Sequence, residues 1–221
     1  MTDHRSHQRR IEALLARHGQ TYCEQLGIEV ENNTPAALFQ ALCLALLFSA
    51  RISADLAVQA MRALLDQGWT TPAKLAAAPW ARRVQTLNQA GYARFDERTS
   101  TMLEDTARRL VDQYGGDLRR LRSAGEHKPA AERRLLTEFK GIGDVGVDIF
   151  FREAQTAWPE LAPFADKKAL QGARRLGLPD SAEALSELVE KSEFPRLITG
   201  LVRMELAEDA AEVAKAADKA R

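Results

Sequence analysis

Cysteine is scarce: the 221 residues contain only Cys23 and Cys43. Two thiols cannot furnish a four-cysteine iron–sulfur or zinc site. Each is expected to pack as a small hydrophobe, and a reducing compartment is the default. Long apolar runs are missing as well. The longest, Ala41 to Phe48, falls well short of the roughly 20 residues of a membrane span. The opening MTDHRSHQRR is polar, with no signal-peptide core behind it, so a cytoplasmic protein is expected. Neither sign of charge dominates, since Lys+Arg and Asp+Glu are both 31. That argues against a whole-protein positive field of the polyelectrolyte-binding kind, while leaving room for a local basic face. Histidines are few and scattered, and no metal-ligand spacing stands out. Alternating β-branched runs are absent too; Ile28-Glu29-Val30 is the nearest and is short.

What remains reads as helix almost throughout. His7 to His18 turns Ile11, Leu14 and Leu15 to one side. Thr34-Pro35 is a strong start signal, with a threonine N-cap and proline at the first helical position. The helix it opens is apolar on nearly every face and is expected to lie at the centre of a core. Ser53 to Gln67, Thr71 to Ala78, Pro79 to Gln89 and Glu97 to Tyr114 follow as further helices, the last ended by Gly115-Gly116. Asp117 to Ser123 reads as a short basic turn and Trp158 to Ala165, with two prolines, as an irregular connection. Asp166 to Leu176, Asp180 to Lys191 and Phe194 to Lys219 complete the chain as helices.

The most informative stretch is LLTEFKGIGDVGVDIFF, Leu135 to Phe151. Leu135, Leu136 and Phe139 form an apolar face before Gly141-Ile142-Gly143. Val145, Val147, Ile149, Phe150 and Phe151 continue one after it. Two glycines around one aliphatic residue permit a turn too tight for side chains with a Cβ. Such a turn leaves N–H groups exposed at the start of the second helix, where the macrodipole favours a phosphate. This is the pattern of a helix-hairpin-helix DNA-binding element, although a helical hairpin without DNA can need the same glycines.

Other segments fall into order around it: Thr34-Pro-Ala-Ala-Leu-Phe, the helix end Leu46-Leu-Phe-Ser-Ala-Arg-Ile-Ser-Ala-Asp55, Gly91-Tyr92, Gly115-Gly116-Asp117-Leu118, and Phe164-Ala165-Asp166. Over residues 30 to 178 this order resembles the helix-hairpin-helix DNA glycosylase superfamily, which includes endonuclease III and the alkyladenine glycosylases. The resemblance implies an all-α fold of two domains, one a six-helix bundle. It places residues 34–150 in that bundle, ending in the helix-hairpin-helix at 133–150. Residues 1–33 and 151–221 would form the second domain, with the active site between the two. The family's catalytic aspartate matches Asp166. Its lysine nucleophile would stand where this chain has Val145, and its C-terminal four-cysteine cluster is missing, so no cofactor is expected.

A carboxylate beside the sugar stabilises oxocarbenium character or activates water during glycosidic cleavage. Asp166 suits that role by position, and it is equally an ordinary helix N-cap. Val145 cannot form a Schiff base, so strand cleavage by elimination is not expected. The implied partner is double-stranded DNA carrying a damaged base, an alkylated purine being the family's closest parallel, bound by a monomer that is nucleoid-associated when on DNA. The alternative is a catalytically inactive DNA- or lesion-binding relative. Candidate DNA contacts are Lys140, Gly141, Ile142, Gly143 and Val145 of the hairpin, Arg51 as the plug for the gap left by a flipped base, and Tyr92, after Gly91 on a predicted loop. Asp144 is the departure, because a carboxylate there repels phosphate. Further cations, Arg119, Arg120, Arg122, Lys128, Arg133 and Arg134, could add phosphate contacts. The family's hairpin can also hold a monovalent cation, here through the main-chain carbonyls of Thr137, Phe139 and Ile142.

Overall fold

The structure, a computed structural model, describes residues 2–219, with side chains from residue 4. Every regular element among these residues is helical, and no strand occurs. In chain order the α-helices are α1 (Thr2–His18), α2 (Tyr22–Gln25), α3 (Pro35–Phe48), α4 (Ala54–Asp66), α5 (Pro72–Ala77), α6 (Trp80–Leu87) and α7 (Asp96–Tyr114). They continue as α8 (Leu118–Ala124), α9 (Pro129–Thr137), α10 (Asp144–Ala154), α11 (Lys167–Arg175), α12 (Ala182–Ser186), α13 (Phe194–Ala207) and α14 (Ala210–Lys219). No described helix is long and apolar enough to cross a membrane.

Contacts divide the chain into two units, Met1–Gln25 with Leu161–Arg221, and Leu26–Glu160. The sequence expectation drew its borders at 33/34 and 150/151. Residues 26–33 and 151–160 side with the second unit for packing reasons. The 3₁₀ turn Val30–Asn32 packs on α3 and α10. Trp158 stands edge-on to Phe150, with ring centroids 5.4 Å apart, and its indole N–H donates to Asn33 Oδ1 at 3.3 Å.

In the second unit α3 is the hub, packing against α4, α7, α8 and α10. Thr34 Oγ1 accepts from the Ala37 N–H at 3.2 Å, and Pro35 follows at the first helical position. Leu38, Phe39, Leu42, Leu44 and Leu47 are all buried to within a percent of completion. Each such side chain contributes roughly 1.5–3 kcal/mol of transfer free energy, which offsets the ordering of a helix with no polar face. Six helices of this unit have eight residues or more, namely α3, α4, α6, α7, α9 and α10, while α5 and α8 are shorter. Residues 118–124 are helix rather than turn, because Asp117 Oδ1 caps the Arg119 N–H at 3.0 Å and Leu118 and Leu121 are buried.

The other unit builds its core from Ile11 and Leu14 of α1, Ala169 and Ala173 of α11, and Leu197, Ile198, Leu201 and Met204 of α13. The C-terminal stretch expected as one helix is two. Glu208 adopts a left-handed conformation at φ 57°, and Asp209 then receives Arg17 Nε at 2.5 Å and His18 Nε2 at 3.1 Å. Residues 180–191 are mostly irregular, with only Ala182–Ser186 helical behind a Ser181 cap.

Candidate functional site

The hairpin consists of α9, a turn and α10. The turn is closed by the Ile142 N–H donating to the Phe139 carbonyl at 3.0 Å. Ile142 itself is buried and ties the turn to the core of its own unit. The two glycines have different reasons. Gly141 sits at φ 92°, and a Cβ there would meet Met102 Sδ of α7 at 2.7 Å. Gly143 is extended at φ −97° and ψ −170°, the usual N-cap geometry, with open space where a Cβ would go.

Gly143 supplies no side chain to cap α10, and the first intrahelical bond is Val147 N–H to the Gly143 carbonyl at 3.0 Å. The N–H groups of Asp144 and Val145 therefore lie in the uncapped first turn. Both side chains face outward, Val145 at 66% exposure and Asp144 at 85%. Asp144 does not act as the N-cap; it is the first helical residue and adds its own negative charge to the helix N-terminus. Arg133 of α9 answers it at 3.7 Å and binds Asp148 of the same helix at 2.5 Å.

The C-terminal end of α3 lies beside this element. A Cβ on Gly146 would come within 2.8 Å of Ser49 Oγ, so the first turn of α10 is seated against the C-terminal end of α3. Arg51 follows two residues later and is exposed. Tyr92 does not join the group. It is 1% exposed, its hydroxyl donates to the Leu47 carbonyl at 3.0 Å, and burial pushes its phenol above the ordinary range. The expected loop with a DNA-facing ring is instead a π-helical turn, Asn88–Tyr92, with Gly91 at φ 86° inside it, and it directs the ring into the core.

Most of the basic side chains expected to meet phosphate already have carboxylate partners. Lys140 Nζ is 2.9 Å from Asp105, Arg119 pairs with Asp117 at 2.7 Å, and Lys128 with Glu126 at 2.6 Å. Exposed pairs of this kind contribute about 0–1 kcal/mol each. They can be exchanged for phosphate, at the cost of leaving an acid nearby.

Arg122 is held differently. It donates to both oxygens of Glu160, at 2.5 and 2.6 Å, and lies over the Trp158 ring. Beside them Glu132 of α9 is fully buried. Burial and the adjacent Glu160 carboxylate push Glu132 up to about 8. Burial alone would raise Glu160 too, but the Arg122 guanidinium outweighs it and holds Glu160 below the usual carboxylate range. Sequence reading missed this cluster. Glu132 stands one helical turn before the buried Leu136, on the inward face, and that spacing was the available signal.

Asp166 lies in the other unit as the N-cap of α11. Its Oδ1 accepts from the Lys168 N–H at 2.9 Å and the Ala169 N–H at 3.0 Å, and the residue is 8% exposed. Among the described residues no group of three or more His, Cys, Asp or Glu side chains is arranged to hold a metal ion. A hairpin cation would use carbonyls instead. The Phe139 carbonyl already takes the Ile142 N–H and keeps a second lone pair.

No family model matches the sequence, and no curated protein matches it. Among solved structures the chain is similar to a trapped endonuclease III–DNA covalent intermediate, an estranged-adenine complex, with a TM-score of 0.48 and 18% identity over 77% of this chain and 73% of that one.

Proposed function

We propose that this chain binds duplex DNA through the α9–α10 hairpin and removes a damaged base by hydrolysis of its glycosidic bond, as a monofunctional glycosylase. One observation carries the reading: Gly141 permits a turn that presents an uncapped helix N-terminus, with Val145 exposed and the end of α3, two residues before Arg51, seated against α10. N–H groups of a first helical turn take phosphate oxygens. Arg51 fills the space of an extruded base, stacking and donating hydrogen bonds there. Main-chain carbonyls of Thr137, Phe139 and Ile142 would hold a monovalent cation that offsets part of the Asp144 charge.

The ordered motifs supply the reaction class, and Asp166 supplies the carboxylate. Bond cleavage leaves positive charge on the sugar; one Asp166 oxygen stabilises it or takes a proton from the attacking water. Val145 offers no amine, so no covalent imine forms and the product is an intact abasic strand. A base whose bond is already weakened, such as an alkylated purine, suits a site with this little activation.

A second reading is favoured by particular contacts. Asp166 Oδ1 is already committed to two N–H groups, and Asp144 and the ion pairs around the hairpin weaken phosphate binding. On that reading the chain binds DNA or a lesion without releasing a base. Duplexes carrying alkylated, oxidised or deaminated bases distinguish the two. Abasic sites that appear with the wild type and vanish with Asp166→Asn support hydrolysis. Salt-dependent binding without base release supports the second reading. Absence of duplex binding at low salt sinks both. Borohydride trapping of a covalent adduct would overturn the absence of an imine.

A further inference from the structure

The base of the hairpin is closed by an unbalanced set of charges. Glu132 of α9 is fully buried, and neither carboxylate oxygen receives an N–H or O–H donor. Its neighbour is the carboxylate of Glu160, a like charge that adds to the cost of ionising Glu132. Glu160 already takes both bonds from Arg122 of α8. His127, in the loop before α9, reaches only 3.9 Å from Glu160, with its ring about half exposed. In the same loop Glu126 and Lys128 pair with each other. From α10, Asp144 and Asp148 face α9, and both go to Arg133. The α3 helix, packed on α8, carries no charged residue.

Two carboxyl groups therefore share one guanidinium in a buried place. An ionised Glu132 would have no donor, no cation of its own and a like charge beside it, an arrangement a low-dielectric interior strongly disfavours. A single proton between the two carboxyls supplies the missing donor and balances the remaining charge against Arg122.

We propose that Glu132 and Glu160 share one proton as a clasp across the base of the helix-hairpin-helix, and that loss of this proton loosens α9 from the Trp158–Glu160 segment. The clasp joins the helix before Gly141–Gly143 to the chain that follows α10, so the proton governs how firmly the hairpin is held. Its loss falls on the alkaline side of neutral, consistent with Glu132 being pushed up to about 8. The sign follows from linkage. The folded pair holds its proton more tightly than the unfolded chain, so stability is greatest in the ordinary carboxylate range. It declines as pH rises toward about 8 and levels off beyond.

The test is the thermal midpoint of wild type and Glu132→Gln from about pH 5 to about pH 9, read beside the infrared carboxyl band. The glutamine keeps the shape and a donor toward Glu160 without a titrating group. The expected result is a wild-type midpoint that falls across the window, while the variant's falls less, so that the variant gains on the wild type as pH rises. A protonated-carboxyl band should persist in the wild type at neutral pH, disappear with rising pH and be absent from the variant. Parallel midpoint curves overturn the proposal. If Glu132→Gln does not fold, the wild-type infrared titration decides alone: a band that persists past neutral and then vanishes supports the clasp, and no band at neutral pH overturns it. Neither readout involves DNA, so the outcome is independent of the proposed activity.

Discussion

Gly146 of α10 faces the Ser49 hydroxyl at the end of α3, and a Cβ on Gly146 would stand 2.8 Å from Ser49 Oγ. Ser49 Oγ is itself held by the Ala45 carbonyl at 2.8 Å, so it cannot yield without losing that bond. Alanine in an unhindered helix is more stable than glycine by roughly 0.5–1 kcal/mol. Here the clash reverses the sign, and Gly146→Ala is expected to destabilise by about 1–3 kcal/mol. Pairing it with Ser49→Ala should recover part of the loss. Denaturant midpoints of the four proteins give the coupling, and simple additivity would show that the two residues do not meet.

The two hairpin glycines should respond unequally. Gly141→Ala combines a left-handed backbone with a Met102 clash and is expected to cost about 2 kcal/mol or more. Gly143 has an extended backbone and free space, so Gly143→Ser introduces a side-chain cap and should stabilise by a few tenths of a kcal/mol. The same hydroxyl would occupy an N–H group meant for phosphate, so DNA affinity should fall while stability rises. Melting curves and gel shifts on one preparation check both halves; the two quantities moving together would contradict the assignment.

Asp144 is expected to limit DNA binding. Asp144→Asn removes the carboxylate from the α10 N-terminus and frees Arg133 from one of its two acids. Affinity for duplex should increase at low salt, and the dependence of log affinity on log salt should steepen by about one unit. Unchanged affinity and slope would place DNA elsewhere on the protein.

Both thiols should be inert in the native state. Cys23 and Cys43 are each 2% exposed, and burial pushes the Cys43 thiol well above its ordinary range, so little thiolate forms. A thiol-reactive reagent at mildly alkaline pH should label neither until denaturant is added. Rapid labelling of the folded protein would show that α2, for Cys23, or α3, for Cys43, opens locally.

Helices and their starts were legible because their causes are local. Thr34, Ser53 and Thr71 cap α3, α4 and α5 through the N–H three residues on, as the sequence suggests. The Gly141 turn was legible for the same reason. Tyr92 was misread because glycine before an aromatic residue signals a turn, while the side to which the turn throws the ring depends on Leu47, far away in sequence. The lengths of α12 and α13 were misread where left-handed or irregular residues interrupt runs of good helix formers.

The amino-acid sequence by itself determined an all-helical chain, an apolar central helix, a glycine-closed hairpin and the absence of an amine at Val145. Periodicity, capping and side-chain chemistry act within a few residues, so they need no folded context. Only the tertiary structure decided that Tyr92 is core, that Gly146 must be bare against Ser49, that Lys140 and Arg133 of the hairpin are already matched by acids, and that Glu132 is buried beside Glu160. Each of these depends on which distant residue fills the space opposite, and burial then fixes what a charge or a hydroxyl can do there.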